Sequence, residues 1–467
     1  MKNRILKYTF IACLSTVALS SCSEDFVETE FFQSIEQRPL ISIEEMESTV
    51  RGQYNAMRSA SYYGCDFTMI SEIRSDNMFT NQASGYYNTV ANFSMLSNDQ
   101  YATGPYTQMY RTVALANLVI NNVSPTPLSW KQSVDPTAIA NKEKYIKGQS
   151  YAARALAFFD ALRLFGQEYA GGTTGVVIPT VYNPEALQPR ATVAETRARI
   201  EADFEQAILL MSPTLDNFGD KTVLNTLSVK ALMSRYYLYK GDYAKVRSLV
   251  NDIVTANKYL VIGRGDYAAS FRSTSAQNSM FELAIGSLGD LGTTSTSYKL
   301  LPAPNGYGNM KVLTALRNSY DTNDIRLAGI TTALVLNGKY INTFDNIKMV
   351  RYEEVLLNGA EAELNGGSAA KAVTYYNSIL SNRILNYVPV TTVTLDNIFS
   401  ERKKELVGEG FGMFDLLRRG LPVTQRTVAG ATVSTKPVGT NLLAFPIPRA
   451  EINVPGTPVT QNPGYSN

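Results

Sequence analysis

The stretch LSVKALMSRYYLYKGDYAKVRSLVNDIV, residues 227–254, has the pattern of two helices joined by a tight turn. The small residue Ser234 stands seven positions before Gly241, and Val246 and Val250 follow at a helical interval. A small side chain lets a second helix approach closely, and glycine readily adopts the left-handed backbone that a tight turn needs. Residues four apart share one helix face, so the two valines are expected to be buried. The stretch therefore predicts a helical hairpin.

A second stretch repeats this spacing. In YEEVLLNGAEAELNGGSAAKAVTYYNSIL, residues 352–380, Ala360, Gly367, Ala372 and Tyr376 stand at the same intervals as the corresponding residues of the first stretch. A helix, a turn and a helix at such spacing are typical of tetratricopeptide repeats. Because the two copies are degenerate and far apart, two unrelated helical hairpins remain the alternative.

Other segments also predict helices. Ser42 with Glu45, and Thr192 with Glu195, have the spacing of a capping box, in which each side chain bonds the other residue's backbone N–H. Residues 144–166 carry apolar side chains at helical intervals and end at a glycine, a common helix stop. Strand-like alternation is scarce, so the predicted fold class is predominantly all-α.

The N-terminus, MKNRILKYTFIACLSTVALSSCSEDF, has a basic head and then an apolar run, Phe10–Leu19, that is too short to span a bilayer. Small residues precede Cys22, and this arrangement resembles the lipobox of bacterial lipoproteins. We therefore expect residues 1–21 to be a lipoprotein signal peptide, Cys22 to be the acylated residue, and residues 22–40 to form a lipidated tether. The alternative is an ordinary secretory signal in which the cysteine is incidental.

Composition narrows the possible functions of the body, residues 41–467. The formal charge of the whole chain is only +2 and there is no basic run, so nucleic acid is not an expected partner. Histidine is absent, which excludes Ser-His-Asp catalysis and histidine metal sites. Of the three cysteines only Cys65 lies in the body, where a buried thiol is expected. The sequence thus predicts no catalytic residue, no cofactor and no metal site.

Five blocks carry a resemblance to a known family. They are YAARALAFFDALRLFG (151–166), IPTVYNPEALQPRATVAETRARIEADFEQAI (178–208), MVRYEEVLLNGAEAELNGG (349–367), ERKKELVGEGFGMFDLLRRG (401–420) and FPIPRAEINVPGTPVTQNPGY (445–465). In this order they resemble the signature blocks of the SusD/RagB family. The last two are the most specific, because helix propensity alone does not dictate them.

The resemblance implies both a fold and a function. It implies one body of tetratricopeptide-like helical hairpins and a loop-rich ligand-binding half, with an N-terminal part to about residue 255 and a C-terminal part over 256–467. Family members are lipid-anchored on the outer membrane and face the cell exterior. They bind oligosaccharides, or in some branches peptides, and act as a lid over a SusC-like TonB-dependent transporter. The protein is therefore expected not to be an enzyme.

Two loop-like stretches contain the residue types that recognise sugars or peptides. Aromatic rings pack against the C–H faces of sugars, and amide, carboxylate and guanidinium groups bond their hydroxyls. The candidate ligand-binding residues are Tyr62, Tyr63, Arg74, Asp76, Asn77, Tyr86 and Tyr87 in the first stretch, and Tyr298, Asn305 and Tyr307 in the second. For each tyrosine, packing against the body is the alternative.

Two other classes of protein were weighed. A tetratricopeptide-like adaptor that binds only proteins would not require the long non-repeat segment 256–345, which favours ligand capture. A surface hydrolase could use Glu401, Glu405 and Glu409 as catalytic carboxylates. Their spacing of four residues among basic side chains more simply predicts a helix with ion pairs.

Overall fold

The computed structural model describes residues 38–466, and helices dominate them. The predicted signal peptide, Cys22 and the tether up to residue 37 lie outside the described residues. From Leu40 onward the chain forms one compact unit. Within residues 38–466, no helix combines the length and the apolar character that crossing a bilayer requires.

The sixteen helices of the described residues are α1 (Ile43–Met57), α2 (Asp66–Ile73), α3 (Asn88–Ala91), α4 (Gln100–Ile120), α5 (Pro136–Phe165), α6 (Val193–Leu210), α7 (Thr226–Lys240), α8 (Tyr243–Ala256), α9 (Tyr267–Ser270), α10 (Thr296–Leu300), α11 (Thr314–Asn318), α12 (Tyr352–Leu364), α13 (Ala369–Leu380), α14 (Leu395–Leu406), α15 (Gly412–Arg418) and α16 (Arg449–Ile452). The strands are β1 (Met78–Thr80), β2 (Ser279–Leu283), β3 (Met310–Val312), β4 (Ile347–Arg351), β5 (Val423–Arg426) and β6 (Thr432–Lys436).

The hairpin predicted from residues 227–254 is confirmed as α7 and α8. Asn225 and Ser228 form a capping box at the start of α7, and Gly241 ends the helix with φ of +82°. Asp242 then accepts a hydrogen bond from the backbone N–H of Lys245 and begins α8. The turn is short because glycine takes the left-handed conformation at no steric cost.

The second predicted hairpin is confirmed as α12 and α13, and it packs on the first. Helix α12 lies against α8, and Gly359 of α12 faces Val250 of α8. A Cβ atom on Gly359 would lie 2.7 Å from Cγ1 of Val250 and 3.0 Å from the ring of Tyr375. This contact explains why the sequence places a residue without a side chain at that point of the helix.

The other helix boundaries also follow the sequence. Thr192 and Glu195 form the predicted capping box of α6, and α5 ends at Phe165 with Gly166 as its cap. Ser42 caps α1 by accepting from the N–H of Glu45, but the Glu45 carboxylate bonds the N–H of Ile41 instead of returning to Ser42.

Strands contribute three two-stranded antiparallel sheets, in the pairs β1–β3, β2–β4 and β5–β6. The pair β1–β3 aligns Met78 with Val312 and Thr80 with Met310. Two loops that are more than 200 residues apart in the sequence are thereby held side by side.

The three carboxylates Glu401, Glu405 and Glu409 are ion-paired, as the sequence predicts. Glu405 is fully buried and accepts from the guanidinium groups of Arg326, Arg351 and Arg383, at 2.8–3.1 Å. The predicted ion pairs are therefore confirmed, and their partners come from other segments of the chain. Glu401 and Glu405 lie on the face of α14 that packs into the core, and Glu409 follows the end of that helix.

Candidate functional site

Five of the ten candidate ligand-binding residues lie in the core. Tyr62, Tyr63, Arg74, Asn77 and Tyr87 are each 8% exposed or less. A side chain at this depth supports the surface above it. Direct ligand contact by these five residues stays a prediction.

Each buried candidate has partners inside the protein. The hydroxyls of Tyr62 and Tyr63 both donate to the carboxylate of Asp160. Arg74 donates from Nε to the carbonyl of Val90 at 2.9 Å. Asn77 donates from Nδ2 to a carboxylate oxygen of Glu72 at 3.2 Å. These hydrogen bonds help to hold the fold.

Tyr86, Tyr298 and Tyr307 come together at the surface, and we call them the aromatic face. The ring centroids of Tyr86 and Tyr307 are 5.1 Å apart, and those of Tyr298 and Tyr307 are 4.8 Å apart in an edge-on arrangement. Tyr307 is 42% exposed, and Asn305 is exposed on the same loop. Of the ten candidates, the structure joins these residues from two separate stretches into one surface.

The backbone explains why the two stretches meet. The β1–β3 pair continues into a hydrogen bond from the N–H of Asn81 to the carbonyl of Asn309, at 2.9 Å. The N–H of Tyr307 donates to the carbonyl of Tyr298 at 2.7 Å and closes the second loop. A Cβ on Gly306 would lie only 2.4 Å from two carbonyl oxygens, so the closed loop requires glycine there.

Lys299 lies beneath the aromatic face and was not predicted from the sequence. Its ammonium is 3.3 Å from the ring centroid of Tyr86 and 4.8 Å from that of Tyr307, and it donates to the carbonyl of Thr293. Burial lowers the pKa of Lys299, while the two ring faces stabilise its charge. Lysine side chains are rarely buried, so the sequence alone gives no reason to expect Lys299 beneath the tyrosine rings.

Tyr87 anchors the aromatic face from behind. It has φ of +62°, which turns its ring inward while Tyr86 stays at the surface. Its ring stacks on Tyr101 at 4.6 Å, and its hydroxyl donates to Asp66 at 2.7 Å. Burial raises the pKa of Asp66 to about 6 and the pKa of the neighbouring Cys65 thiol to about 12. Cys65 is thus the buried thiol expected from the sequence.

Asp76 belongs to a different surface. It is half-buried and pairs with Lys403 at 2.8 Å. It lines a cleft of about 490 Å³ together with Phe79 and Arg426, and no residue of the aromatic face lines that cleft. The structure therefore does not bring Asp76 together with the three tyrosines.

The other sequence patterns with possible chemistry have structural roles. Among residues 38–466, no cluster of three or more carboxylate or cysteine side chains could hold a metal ion. Glu401 and Glu405 are each 2% exposed or less and are paired with arginines.

Comparisons with known proteins agree with this architecture. A SusD-like family model, described as starch-binding associating with outer membrane, matches residues 33–238, and a SusD family model matches residues 335–465. SusD-like protein P38 of Formosa agariphila is 22% identical over 263 residues, which are 55% of this chain and 47% of that protein. The chain spans about half the length of the curated relatives it matches.

Solved structures share the fold. A SusD superfamily protein from Bacteroides vulgatus has a TM-score of 0.80 and 25% identity, and the match covers 91% of this chain and 100% of that one. Surface glycan-binding protein A from Bacteroides fluxus has a TM-score of 0.72 and 20% identity, over 90% of this chain and 99% of that one. The second likeness concerns the fold alone.

Proposed function

Because the chain belongs to the SusD/RagB family, we propose that it is a cell-surface lipoprotein that binds a nutrient glycan and passes it to a partner transporter. The observation that carries the proposal is the aromatic face. Its three rings converge from two separate stretches of the chain, with Tyr307 exposed and the other two half-buried, and the exposed Asn305 on the same loop as Tyr307 is an amide donor and acceptor.

Sugar chemistry fits this surface. A pyranose ring offers an apolar C–H face that packs on an aromatic ring, while its hydroxyls need amide or similar partners. The name of the Bacteroides fluxus neighbour describes a surface glycan-binding protein. We propose an oligosaccharide as ligand, with a peptide as the second possibility.

The proposed location rests on the N-terminal sequence. Cys22 would carry acyl chains, and several chains give far stronger membrane attachment than one. Glu24 and Asp25 directly after the cysteine resemble the surface-export signal of lipoproteins in related bacteria. Replacement of Cys22 by serine should leave the protein without acyl label and outside the membrane fraction. Retention of both the label and the membrane location would reject the anchor.

We further propose that the protein acts as a lid over a SusC-like TonB-dependent transporter. A ligand that touches both proteins adds contacts that the open state lacks, and only such differential contacts favour closure. Purification from native membranes in mild detergent should recover the transporter with the lipoprotein. Recovery of a lone monomer, together with normal uptake after gene deletion, would sink the lid model and favour the adaptor alternative.

Glycan binding is tested by calorimetry with the purified full chain. The probes are maltoheptaose, laminarihexaose, xylohexaose and mannohexaose, with a casein tryptic digest as the peptide arm. Tyr307→Ala should weaken binding of whichever glycan binds by about tenfold, since loss of one stacking ring costs roughly 1–3 kcal/mol by analogy with base stacking. Tyr182→Ala, which changes a half-buried tyrosine outside the aromatic face, is the control.

The outcomes separate two failures. If only peptides bind the unaltered protein, the glycan proposal is wrong. If a glycan binds equally well to Tyr307→Ala and the unaltered protein, the aromatic face is not its site. Incubation of the bound glycan with the protein should release no shorter sugars. Product formation by a preparation free of contaminating enzyme would show that the protein is catalytic.

A further inference from the structure

A groove of about 360 Å³ opens between helix α4, the extended segment 177–188 and the chain after α16, and we call it the Glu451 groove. It shares no lining residue with the aromatic face. Its apolar walls include Val177, Pro179, Leu187, Val454 and Val459.

Two tyrosines form one side of the groove. The rings of Tyr106 and Tyr110 have centroids 4.5 Å apart. The hydroxyl of Tyr110 is already used, because it donates to the carbonyl of Val177 at 2.8 Å. The paired rings offer the groove apolar surface and π-electron density.

Glu451 is the feature that the fold does not explain. Its carboxylate has no hydrogen bond or ion pair with any residue between 38 and 466, and burial raises its pKa. Arg190 is close to the two tyrosines, but its guanidinium donates to the carbonyls of Phe165 and Gly175 and to other acceptors. The groove thus has a carboxylate without a counter-charge.

We propose that the Glu451 groove is a second binding site, which takes a lysine or arginine side chain from a peptide segment of a partner protein. The cationic head would pair with Glu451, and the aliphatic stem would lie on Tyr110 and Leu187. Charge complementarity decides the class of ligand, because a cation gains both an ion pair with Glu451 and contact with the tyrosine rings of the groove. The groove is larger than one such side chain, which leaves room for flanking peptide.

A neutral sugar fits the groove less well. Its hydroxyls would find polar partners in Asn183, Gln188, Thr107 and Thr457. A neutral ligand, however, gains no ion pair with Glu451 and leaves the carboxylate without a cation. The groove therefore differs in chemistry from the aromatic face, and its ligand is independent of the proposed glycan function.

The test uses the full chain in detergent and two peptides, acetyl-Gly-Lys-Gly-amide and the same peptide with norleucine in place of lysine. Saturation-transfer NMR should show binding of the lysine peptide and at least about tenfold weaker binding of the norleucine peptide. Glu451→Gln should weaken lysine-peptide binding about tenfold, as expected for loss of a charge-assisted pair. Leu187→Ser, at a 49% exposed position, should weaken it through the apolar wall.

The control is Glu205→Gln, which removes an exposed carboxylate outside the groove and should leave lysine-peptide binding unchanged. Thermal midpoints of the variants should match that of the unaltered protein. Equal binding of the two peptides, or no binding of either, would overturn the proposal. Putrescine or a glucosamine trimer binding as tightly as the lysine peptide would also overturn it, by identifying a small cation or an amino sugar as the ligand. Loss of glycan binding in Tyr307→Ala would leave this result untouched.

Discussion

Replacement of Glu405 by glutamine probes the ion pairs that join the C-terminal segments. The Glu405 side chain accepts four hydrogen bonds, one each from Arg326 and Arg351 and two from Arg383. Glutamine has nearly the same shape but replaces one acceptor oxygen with an NH₂ group that faces guanidinium donors. The substitution therefore removes the charge and places donor against donor without opening a cavity.

The expected loss is large because no water reaches the site. Glu405 and Arg383 are both fully buried. Breaking a buried ion pair by removing one partner costs about 3–5 kcal/mol, since the remaining charges stay desolvated. We expect the free energy of unfolding to fall by about that amount. Urea denaturation followed by circular dichroism measures it as a shift of the midpoint at constant slope.

The control lies on the same helix. Lys403 pairs with Asp76 at a partly exposed site, so Lys403→Gln should cost less than about 1 kcal/mol. Burial alone would raise the pKa of Glu405, but the three arginines hold it well below its ordinary value. The stability that depends on this charge is therefore present above about pH 4.3 and is lost as the pH falls through the folded-state pKa. A Glu405→Gln protein within 1 kcal/mol of the unaltered one at pH 7 would refute this reasoning.

Three further predictions concern single residues. Lys299→Met should weaken glycan binding severalfold and reduce the near-ultraviolet circular dichroism of the tyrosines, because Tyr86 loses the cation beneath its ring. Lys299→Arg should restore both signals. If Lys299→Met changes neither, the lysine does not hold the aromatic face in place. Gly359→Ala should lower the free energy of unfolding by about 1–3 kcal/mol, because the added methyl group overpacks the contact with Val250. Gly52→Ala places a methyl group 3.5 Å from its nearest neighbour and should raise the free energy of unfolding by about 0.5–1 kcal/mol. Equal effects of the two substitutions in urea titrations would contradict the packing argument. Burial raises the folded-state pKa of Asp66 to about 6, so the stability that the protonated carboxyl contributes is complete below about pH 4 and is lost as the pH rises through 6. Asp66→Asn should remove this pH dependence from urea midpoints measured between pH 4 and 7. An unchanged pH profile in Asp66→Asn would refute the assignment.

The parts of the fold that were predictable are those determined by nearby residues. Both helical hairpins follow from apolar spacing and turn glycines within 30 residues of sequence, and the Thr192 cap follows from four residues. The pairing of β1 with β3 was not predictable. Each strand has three residues, too few to show an alternating pattern, and their partnership depends on the packing of the whole chain.

The residue types of the candidate site were predictable, but which of its side chains face the surface and which face the core was not. The sequence identifies a region rich in tyrosine, yet it does not indicate that Tyr86 lies at the surface while Tyr87 enters the core. That difference arises from the left-handed backbone at Tyr87. Lys299 and Glu451 escaped prediction for a related reason. Each is an ordinary charged residue in the sequence. Only the tertiary structure places Lys299 against the ring of Tyr86, and Glu451 in a groove where no residue between 38 and 466 is its charged partner.

The aromatic face is organised before any ligand arrives, and this bears on how the proposed lid would work. The backbone hydrogen bond from Tyr307 to Tyr298 and the Lys299 ammonium beneath Tyr86 hold the rings in place. A preorganised surface loses little conformational entropy on binding, so its contacts count almost fully towards affinity. In the proposed complex with glycan, however, it would cover only one side of a sugar chain, and the other side would stay in water. A second wall supplied by a transporter would desolvate that side without reorganising the first. On the proposed function, the ligand should therefore be held more tightly by the complex than by the lipoprotein alone, and Tyr307→Ala should weaken binding in both states.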